Sequence, residues 1–473
     1  MQNQSASVSG TGSVTAEWVL EEFAGAQLPD KRLIRRAQIL MTQFGQQPTA
    51  TIPQACGHWS AGKAAYRFFD NEAILPEQLL APHARATVRR MTGHSVVLAV
   101  QDTTTLNYSA HRQTKGLGPI GGNADKTIGL CLHCTLAVST EGEALGVLAA
   151  RTWARDAAQF GSSRQSKLRN GKPVREKESQ KWLESLAMCQ QLVRENPGLS
   201  LVNVADREAD IYEMFADALA GPVGVHVLVR MQHNRQLLDQ QRRVWKLLQQ
   251  QPVVGKMQVQ LPRKTGVAAR TATLGIRFAT VQIQAPCLKA DQPSLTLCAI
   301  QASEEFAPKG HTPILWRLLT TLPVSTAEQA MEKVKWYAQR WQIEVLHKVL
   351  KSGCRIEQRQ LETAARLKRV LMLDLIVAWR VMQLSKGARQ KPQADCAQWL
   401  EPTEWAVLFC YFNPGMKPPV QPPTLREAVR WIGQLGGFLA RKSDGEPGPI
   451  VLWRGLQRLN DLSATWKLLK NCG

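Results

Sequence analysis

The sequence has no apolar run long enough to cross a bilayer. Its most apolar stretch, Val370 to Met382, is broken by Asp374 and Arg380. It also falls short of the roughly 20 residues that a span requires. Acids are scarce relative to bases: 38 Asp and Glu against 59 Lys and Arg, a formal charge of +21. A chain this basic suits a polyanion, either nucleic acid or an anionic membrane surface. The N-terminus, MQNQSASVSGTGSVTAEW, lacks the basic start and apolar centre of a signal peptide and reads as a flexible leader. Ten cysteines are scattered through 473 residues without the spacing of a disulfide framework, which fits reduced thiols in the cytoplasm. No fixed-period repeat is present. The hydrophobic fraction of 44% excludes wholesale disorder, and the length suggests about three domains.

What is there alternates. Residues 15–90 read as helical. Asp30 can cap a helix that carries Lys31, Arg32, Arg35 and Arg36 in its first turns, a poor match to the helix dipole. A solvated basic face is the plain reading, and a phosphate bound nearby is the alternative. Strands are expected at SVVLAVQD, Ile128–Ser139, Leu145–Arg151, SLVNVAD and Val225–Arg230. Between them lie a loop over Arg155–Lys177 and helices over Lys177–Arg194 and Ile211–Ala220. This alternation predicts an α/β core. Residues 232–310 interrupt it, because KMQVQLPRK and RFATVQIQAP alternate apolar with polar like antiparallel strands with one wet face. From Arg230 to Thr280 ten Lys or Arg stand against one acid, Asp239, so this is a basic β-rich insertion. ILWRLLTTLPV reads as a last core strand and Thr326 to about Gly353 as a helix. The remainder is mostly helical, with a break at Pro414–Pro423.

Two strand ends match. Val96–Val100 leads through Gln101 to Asp102, and Leu201–Ala205 leads to Asp206. Side chains alternate, so Leu98, Val100 and Asp102 share one face, as do Val202, Val204 and Asp206. In an open α/β sheet, sites gather where strands end. Two adjacent carboxylates repel unless a cation sits between them, and hard oxygen ligands suit magnesium or manganese. An aspartate after a strand is also a common turn or helix cap. The segment WYAQRWQIEVLHKVLKSG adds Tyr337, Arg340, Glu344 and Lys351, which on one helix fall within roughly 60° of one another. Glu344 can supply a third ligand, while Arg340, Lys351 and Tyr337 can hold phosphate oxygens. The alternative is an exposed face with Arg340–Glu344 paired at i,i+4.

Other signals point to packing. Gly116-Leu-Gly118-Pro-Ile-Gly121 matches a dinucleotide pattern by letter but opens no helix, and reads as a loop. Cys131 and Cys134 form a lone CxxC within a strand, where their side chains face opposite ways, so zinc is not expected. His347 reads as a helix-surface residue, with DNA contact as the alternative. Trp431, Leu435, Phe438 and Leu439 form an apolar stripe that suits packing within the domain or a dimer contact.

The spacing of Tyr337, Arg340, Glu344 and Lys351 resembles the YREK signature of bacterial cut-and-paste DDE transposases of the insertion-sequence-four family. DTTTLNY, EKESQKWL, VADREADIY, AYRFFDN, RWQIEVLHK and LGGFLARK are also similar, over about residues 17–460. The resemblance implies an RNase H-like catalytic core at 86–385, with the β-rich insertion at about 232–310. It implies a helical N-terminal DNA-binding domain at 1–85 and a helical C-terminal dimerisation domain at 386–473. Asp102, Asp206 and Glu344 would form the catalytic, metal-holding triad, with two Mg2+ (or Mn2+) ions per site. Tyr337, Arg340, Lys351, Trp316, Arg230 and Arg67 would contact DNA, with Trp316 stacking on a flipped base. The implied function is excision of a transposon at its inverted terminal repeats through a hairpin intermediate, then strand transfer into target DNA by a homodimer. The implied setting is the bacterial cytoplasm, at the nucleoid. The competing readings are a nuclease without strand transfer and a non-catalytic or domesticated end-binding protein.

Overall fold

Val96–Asn107 forms the 12-residue strand β1 because its aliphatic run is covered on both faces: Val97 through Val100 are all fully buried. The computed structural model describes residues 15–121, 126–157, 173–239, 243–261, 270–289, 291–441 and 444–471. The leader and most of the loop expected over 155–177 lie outside the described residues. Packing divides the chain into two units.

One unit, Thr87–Arg112 with Leu117–Lys348, carries the sheet. Its further strands are β2 (Gly118–Pro119), β3 (Ile128–Ser139), β4 (Ala144–Trp153), β5 (Ser200–Ala205), β6 (Val225–Arg230), β7 (Gly255–Leu261), β8 (Arg270–Ile283), β9 (Leu295–Glu304) and β10 (Leu315–Thr320). β4, β3 and β1 form an antiparallel meander, and β5 and β6 continue from β1 in parallel. This order, β4-β3-β1-β5-β6, is RNase H-like. Beyond β6 the same sheet runs on antiparallel through β10, β9, β8 and β7. The β-rich insertion is therefore fused to the core through β10, and the sheet has ten strands among the described residues. The strand β9, fully buried along Ala299–Ile300, is one that the alternation rule does not single out.

One face of this sheet is covered by the helices Gln180–Glu195 and Tyr212–Ala220. Trp182, Leu186, Cys189 and Val193, at helical spacing, pack with Val97, Ala99 and Leu201 in one apolar cluster. The other face carries the helices Ala327–Ala338 and Trp341–Lys348, and it is the face to which Asp102 belongs.

The other unit gathers the chain up to Ala86, Gln113–Gly116 and Val349 onward. Its axis is the 27-residue helix Ala364–Gln390, buried over most of its length. That helix packs on Lys31–Gln46 and Trp59–Asp70 from the N-terminal part and on Leu425–Leu435 and Pro449–Asn471 from the C-terminal part. A helix apolar all round needs partners on all sides, and both ends of the sequence supply them. It also runs through residue 385, where the resemblance implies a domain boundary. Asp30 caps the helix Lys31–Gln46 by accepting from Arg32 N. The helix Leu425–Leu435 stops before Phe438 and Leu439, so the expected stripe is not one helical face.

Asp374, the acid that interrupts the apolar run, is fully buried against Arg359. Arg359 Nε and Nη2 donate to its two oxygens at 3.0 and 2.8 Å, and Nη1 donates to Ala50 O at 2.7 Å. Losing one partner of a buried pair leaves the other charge uncompensated. Asp374→Ala should therefore lower stability by about 3–5 kcal/mol in urea unfolding. A loss below about 1 kcal/mol, the range of an exposed pair, would show that the pair is not a structural tie.

Candidate active site

β1 and β5 lie side by side in parallel, with Val96 opposite Ser200 and Val100 opposite Val204. Two steps further on the same face, this register sets Asp102 level with Asp206. Asp102 stands on β1; Asp206 stands one residue past β5 and caps the 3-10 turn Arg207–Ala209. Backbone groups hold both carboxylates. Thr103 N donates to Asp102 Oδ1 at 2.8 Å, and Glu208 N donates to Asp206 Oδ1 at 2.9 Å. The cap and the site readings of Asp206 therefore coexist.

The single helix expected from Thr326 to about Gly353 is instead two helices and a π-turn: Ala327–Ala338, Trp341–Lys348 and Val349–Gly353. Bonds from Gln339 N to Trp336 O and from Arg340 N to Tyr337 O tighten the joint. The even helical wheel thus does not apply. Tyr337 is buried near the end of the first helix, Arg340 sits at the joint, and Glu344 lies in the first turn of the second. Ile343 and Leu346, both fully buried, face β1 and β3. Gln342 Nε2 donates to Gly142 O at 2.8 Å and ties this helix to the β3–β4 turn. Gly142 has φ +93°, and a Cβ there would meet Gln339 and Gln342 within 3 Å, so the turn needs glycine.

Arg340 bridges two of the acids. Its Nη1 lies 3.5 Å from Asp102 Oδ2, and its Nη2 donates to Glu344 Oε1 at 2.5 Å. The i,i+4 pair exists, and it is one arm of a three-residue cluster. Burial pushes the Asp102 carboxyl up to about 6; the Thr103 N–H and Arg340 hold it down, while Asp206 and Glu344 add to the rise. Asp102 therefore lies within electrostatic reach of both other carboxylates. Burial works against the charge of Arg340, and Tyr337, Glu344 and Asp102 more than offset it.

Trp316, on β10, meets the Tyr337 ring edge-on with centroids 5.4 Å apart. Arg230, the last residue of β6, donates from Nη2 to Leu315 O at 3.1 Å. Burial raises the Tyr337 hydroxyl, and Arg340 and Arg230 pull against that rise. Asp102, Asp206, Glu344, Tyr337, Arg340, Trp316 and Arg230 thus share one unit. Lys351, in the π-turn, and Arg67, exposed on the helix Trp59–Asp70, belong to the other.

Some local parts lay outside the sequence reading. Asp210 is buried and accepts from Gln232 N, His233 N and Arg235, which fixes the segment leaving β6. Its signal is its place four residues after Asp206 in VADREAD. Lys181 is buried and its Nζ lies 3.0 Å from Glu208. His347, expected at the surface, is buried, because its helix is covered by the sheet on that side. Cys134 pairs with Asp102 across β1 and β3, and burial pushes its thiol up.

Three family models match the chain: Transposase DNA-binding over residues 15–74, Transposase DDE domain over 165–380, and Transposase Tn5 dimerisation domain over 376–466. The chain belongs to the Tn5-like DDE transposases. Asp206 and Glu344 fall inside the matched DDE segment, and Asp102 precedes it. Among solved structures, a piggyBac transposase synaptic complex with hairpin DNA is similar at 11% identity, over 67% of this chain and 52% of that one, with a TM-score of 0.34. The chain spans about half the length of that protein. No helix among the described residues is long and apolar enough to cross a membrane.

DDE transposase domains generally use divalent ions. The donor set fits: three carboxylates carry hard oxygen donors, and Asp206 and Glu344 add to the rise that burial imposes on Asp102. As placed, no three His, Cys, Asp or Glu among the described residues close into a metal-holding group. A guanidinium lies on two of the carboxylates instead.

Beneath β1, on the opposite face, His133 bonds to Thr103 Oγ1 at 3.0 Å and packs on Trp182. Burial lowers its pKa to about 3, helped by Lys181, His347 and Arg151. A histidine held neutral in the fold makes the unfolded chain bind more protons below pH about 6.5, so its contribution is present above that pH and is lost as pH falls towards 3. Wild type minus His133→Gln should show stability falling by about 1.4 kcal/mol per pH unit across that window. A flat difference would mean that His133 charges freely in the fold.

Proposed function

We propose that this transposase excises a DNA segment at its inverted terminal repeats and joins it to target DNA, and that Asp102, Asp206 and Glu344 are its catalytic carboxylates. The observation that carries this is the electrostatic convergence of the three acids around Asp102, with Arg340 between two of them. Asp102, Asp206 and Glu344 would hold Mg2+ or Mn2+, two ions per site. When bound, such ions activate the attacking oxygen and stabilise the leaving one, so no serine or cysteine nucleophile is needed.

The protein's own residues position the DNA. Arg340 binds a phosphate as a fork, and engaging it draws the guanidinium off Asp102 and Glu344. Tyr337 donates its hydroxyl to a phosphate oxygen, and Arg230 and Lys351 add charge. Water attacks first and leaves a 3′ hydroxyl. That hydroxyl attacks the opposite strand and closes a hairpin, and Trp316 stacks on the base displaced there. Water reopens the hairpin, and the freed 3′ hydroxyl attacks target DNA. Residues 1–85, with Arg67, bind the ends, and residues 386–473 pair two copies in a synaptic homodimer. The place of action is the bacterial cytoplasm, on the nucleoid.

Cleavage of the repeats that flank its own coding segment, with magnesium, tests the reading. Asp102→Ala, Asp206→Ala and Glu344→Ala should each cut the rate on the order of a thousandfold, while end binding persists. Survival of cleavage in all three variants would remove the site assignment. Precut ends supplied with a target plasmid should give joined products; nicks alone would identify a nuclease.

Trp316→Ala should leave the first nick unchanged and slow hairpin closure roughly tenfold, the scale of one lost base stack. Gel-resolved single-turnover kinetics read both steps, and equal slowing of the two would count against stacking.

A further inference from the structure

The face of the sheet opposite the catalytic carboxylates carries a second ordered charge. Val100 pairs with Val204, Val204 with Leu228, and Arg230 with Leu318. Paired residues share a face, so Asp102, Arg230 and Trp316 lie on one side and Arg317 on the other. On that other side Arg317 of β10 pairs with Gln301 of β9, and Gln301 pairs with Arg277 of β8. Three polar side chains thus stand in a row across three strands, with the two arginines on the outer strands and Gln301 between them.

The row is held in place. Gln301, buried, accepts from Arg317 Nε at 3.0 Å. The Arg317 guanidinium lies over the Trp245 ring, 4.5 Å from its centroid. Arg277 donates from Nε to Gln251 O at 3.2 Å and from Nη1 to Ser303 Oγ at 3.1 Å. Trp245 comes from the helix Val244–Gln250, which is pinned to the sheet by buried Val244 and Leu248. Its indole N–H is sheltered and makes no hydrogen bond among the described residues. Both arginines are half-buried, and among the described residues neither pairs with a carboxylate. Nearby arginines differ: Arg235 is spent on Asp210, and Arg270 on Glu304. A charge partly out of water and without a counter-ion is costly, unless an anion comes to it.

Its place is informative. Arg317 O accepts from Met231 N, one residue past the end of β6. β5 and β6 are parallel, so the row borders the end of the sheet at which Asp206 stands. β10 therefore presents Trp316 on the catalytic face and Arg317 on the reverse, at consecutive positions.

We propose that Arg317 and Arg277 form a seat for backbone phosphates of the DNA, where the duplex passes over β10 away from the catalytic carboxylates. This rests on the DNA-transposing function above. Arg317, with its Nε spent on Gln301, presents its Nη groups as a preset fork for phosphate oxygens, and Arg277, with Nε and Nη1 engaged, adds Nη2 as a further donor; such contacts are independent of sequence. The seat makes the basic insertion part of the DNA path.

Fluorescence anisotropy over a range of salt concentrations tests it, with a duplex bearing the terminal repeat and an unrelated duplex. Arg317→Gln and Arg277→Gln should each lower the slope of log K against log salt by about 0.9, one phosphate contact, on both duplexes. Arg317→Lys should keep most of the slope. Circular dichroism melting should be unchanged; if a glutamine variant melts early, Arg317→Lys decides, and loss of its slope overturns the seat. Full slopes in both glutamine variants, with wild type binding normally, also overturn the seat and leave the proposed function standing. A wild type that binds neither duplex removes both.

Discussion

Asp102 and Asp206 at neighbouring strand ends, with Glu344 on a helix packed against β1, crowd negative charge into one region, and Arg340 stands within it. Burial has already pushed the Asp102 carboxyl up to about 6, and Asp206 and Glu344 add to the rise. The guanidinium of Arg340 reaches Asp102 and Glu344 together. An arginine suits the place because its planar fork addresses two acids at once and it does not give up its proton. The joint between the helices Ala327–Ala338 and Trp341–Lys348 is what puts it there. There it keeps its i,i+4 partner Glu344 and reaches Asp102 on β1 as well.

The sequence made the parallel pair legible because its signal is local. Apolar runs ending in Asp102 and Asp206 are strands covered on both faces, and the offset of 104 residues between them matches the register from Val96–Ser200 to Val100–Val204. The joint at Gln339–Arg340 was hidden, since neither glycine nor proline marks it; its cause is tertiary, the burial of Ile343 and Leu346 and the bond from Gln342 to Gly142. β9 was hidden for a similar reason. SLTLCAIQASE is a mixed run whose burial on both sides comes from being the middle of an extended sheet. Asp374 read as a break in an apolar segment, and only the structure shows Arg359 arriving from fifteen residues upstream to neutralise it. Charges that are paired at a distance in sequence have no local signature.

The surplus of base is likewise not spread evenly in meaning. Arg235, Arg270 and Arg359 are consumed by buried acids and belong to the architecture. Arg340 is paired with Asp102 and Glu344, acids of the proposed catalytic set. Arg277 and Arg317 are consumed by none among the described residues, though both are oriented. Net charge therefore identifies the class of partner, while the pairing of each guanidinium identifies which of them meets it.

This sorting bears on how cleavage is confined to DNA. With Arg340 seated on Asp102 and Glu344, the carboxylates are partly neutralised before any phosphate arrives. On the proposed assignment, a cation would have to displace a tethered guanidinium and not water alone. A backbone phosphate offers Arg340 a second bidentate partner of higher charge. On the proposed assignment, a guanidinium turned to that phosphate would leave the three acids to repel one another and favour divalent ions there. The same logic explains why burial around Asp102 is tolerated: in water the repulsion would be screened and Arg340 would have little hold, whereas in a half-buried site each exchange of partners carries enough energy to matter.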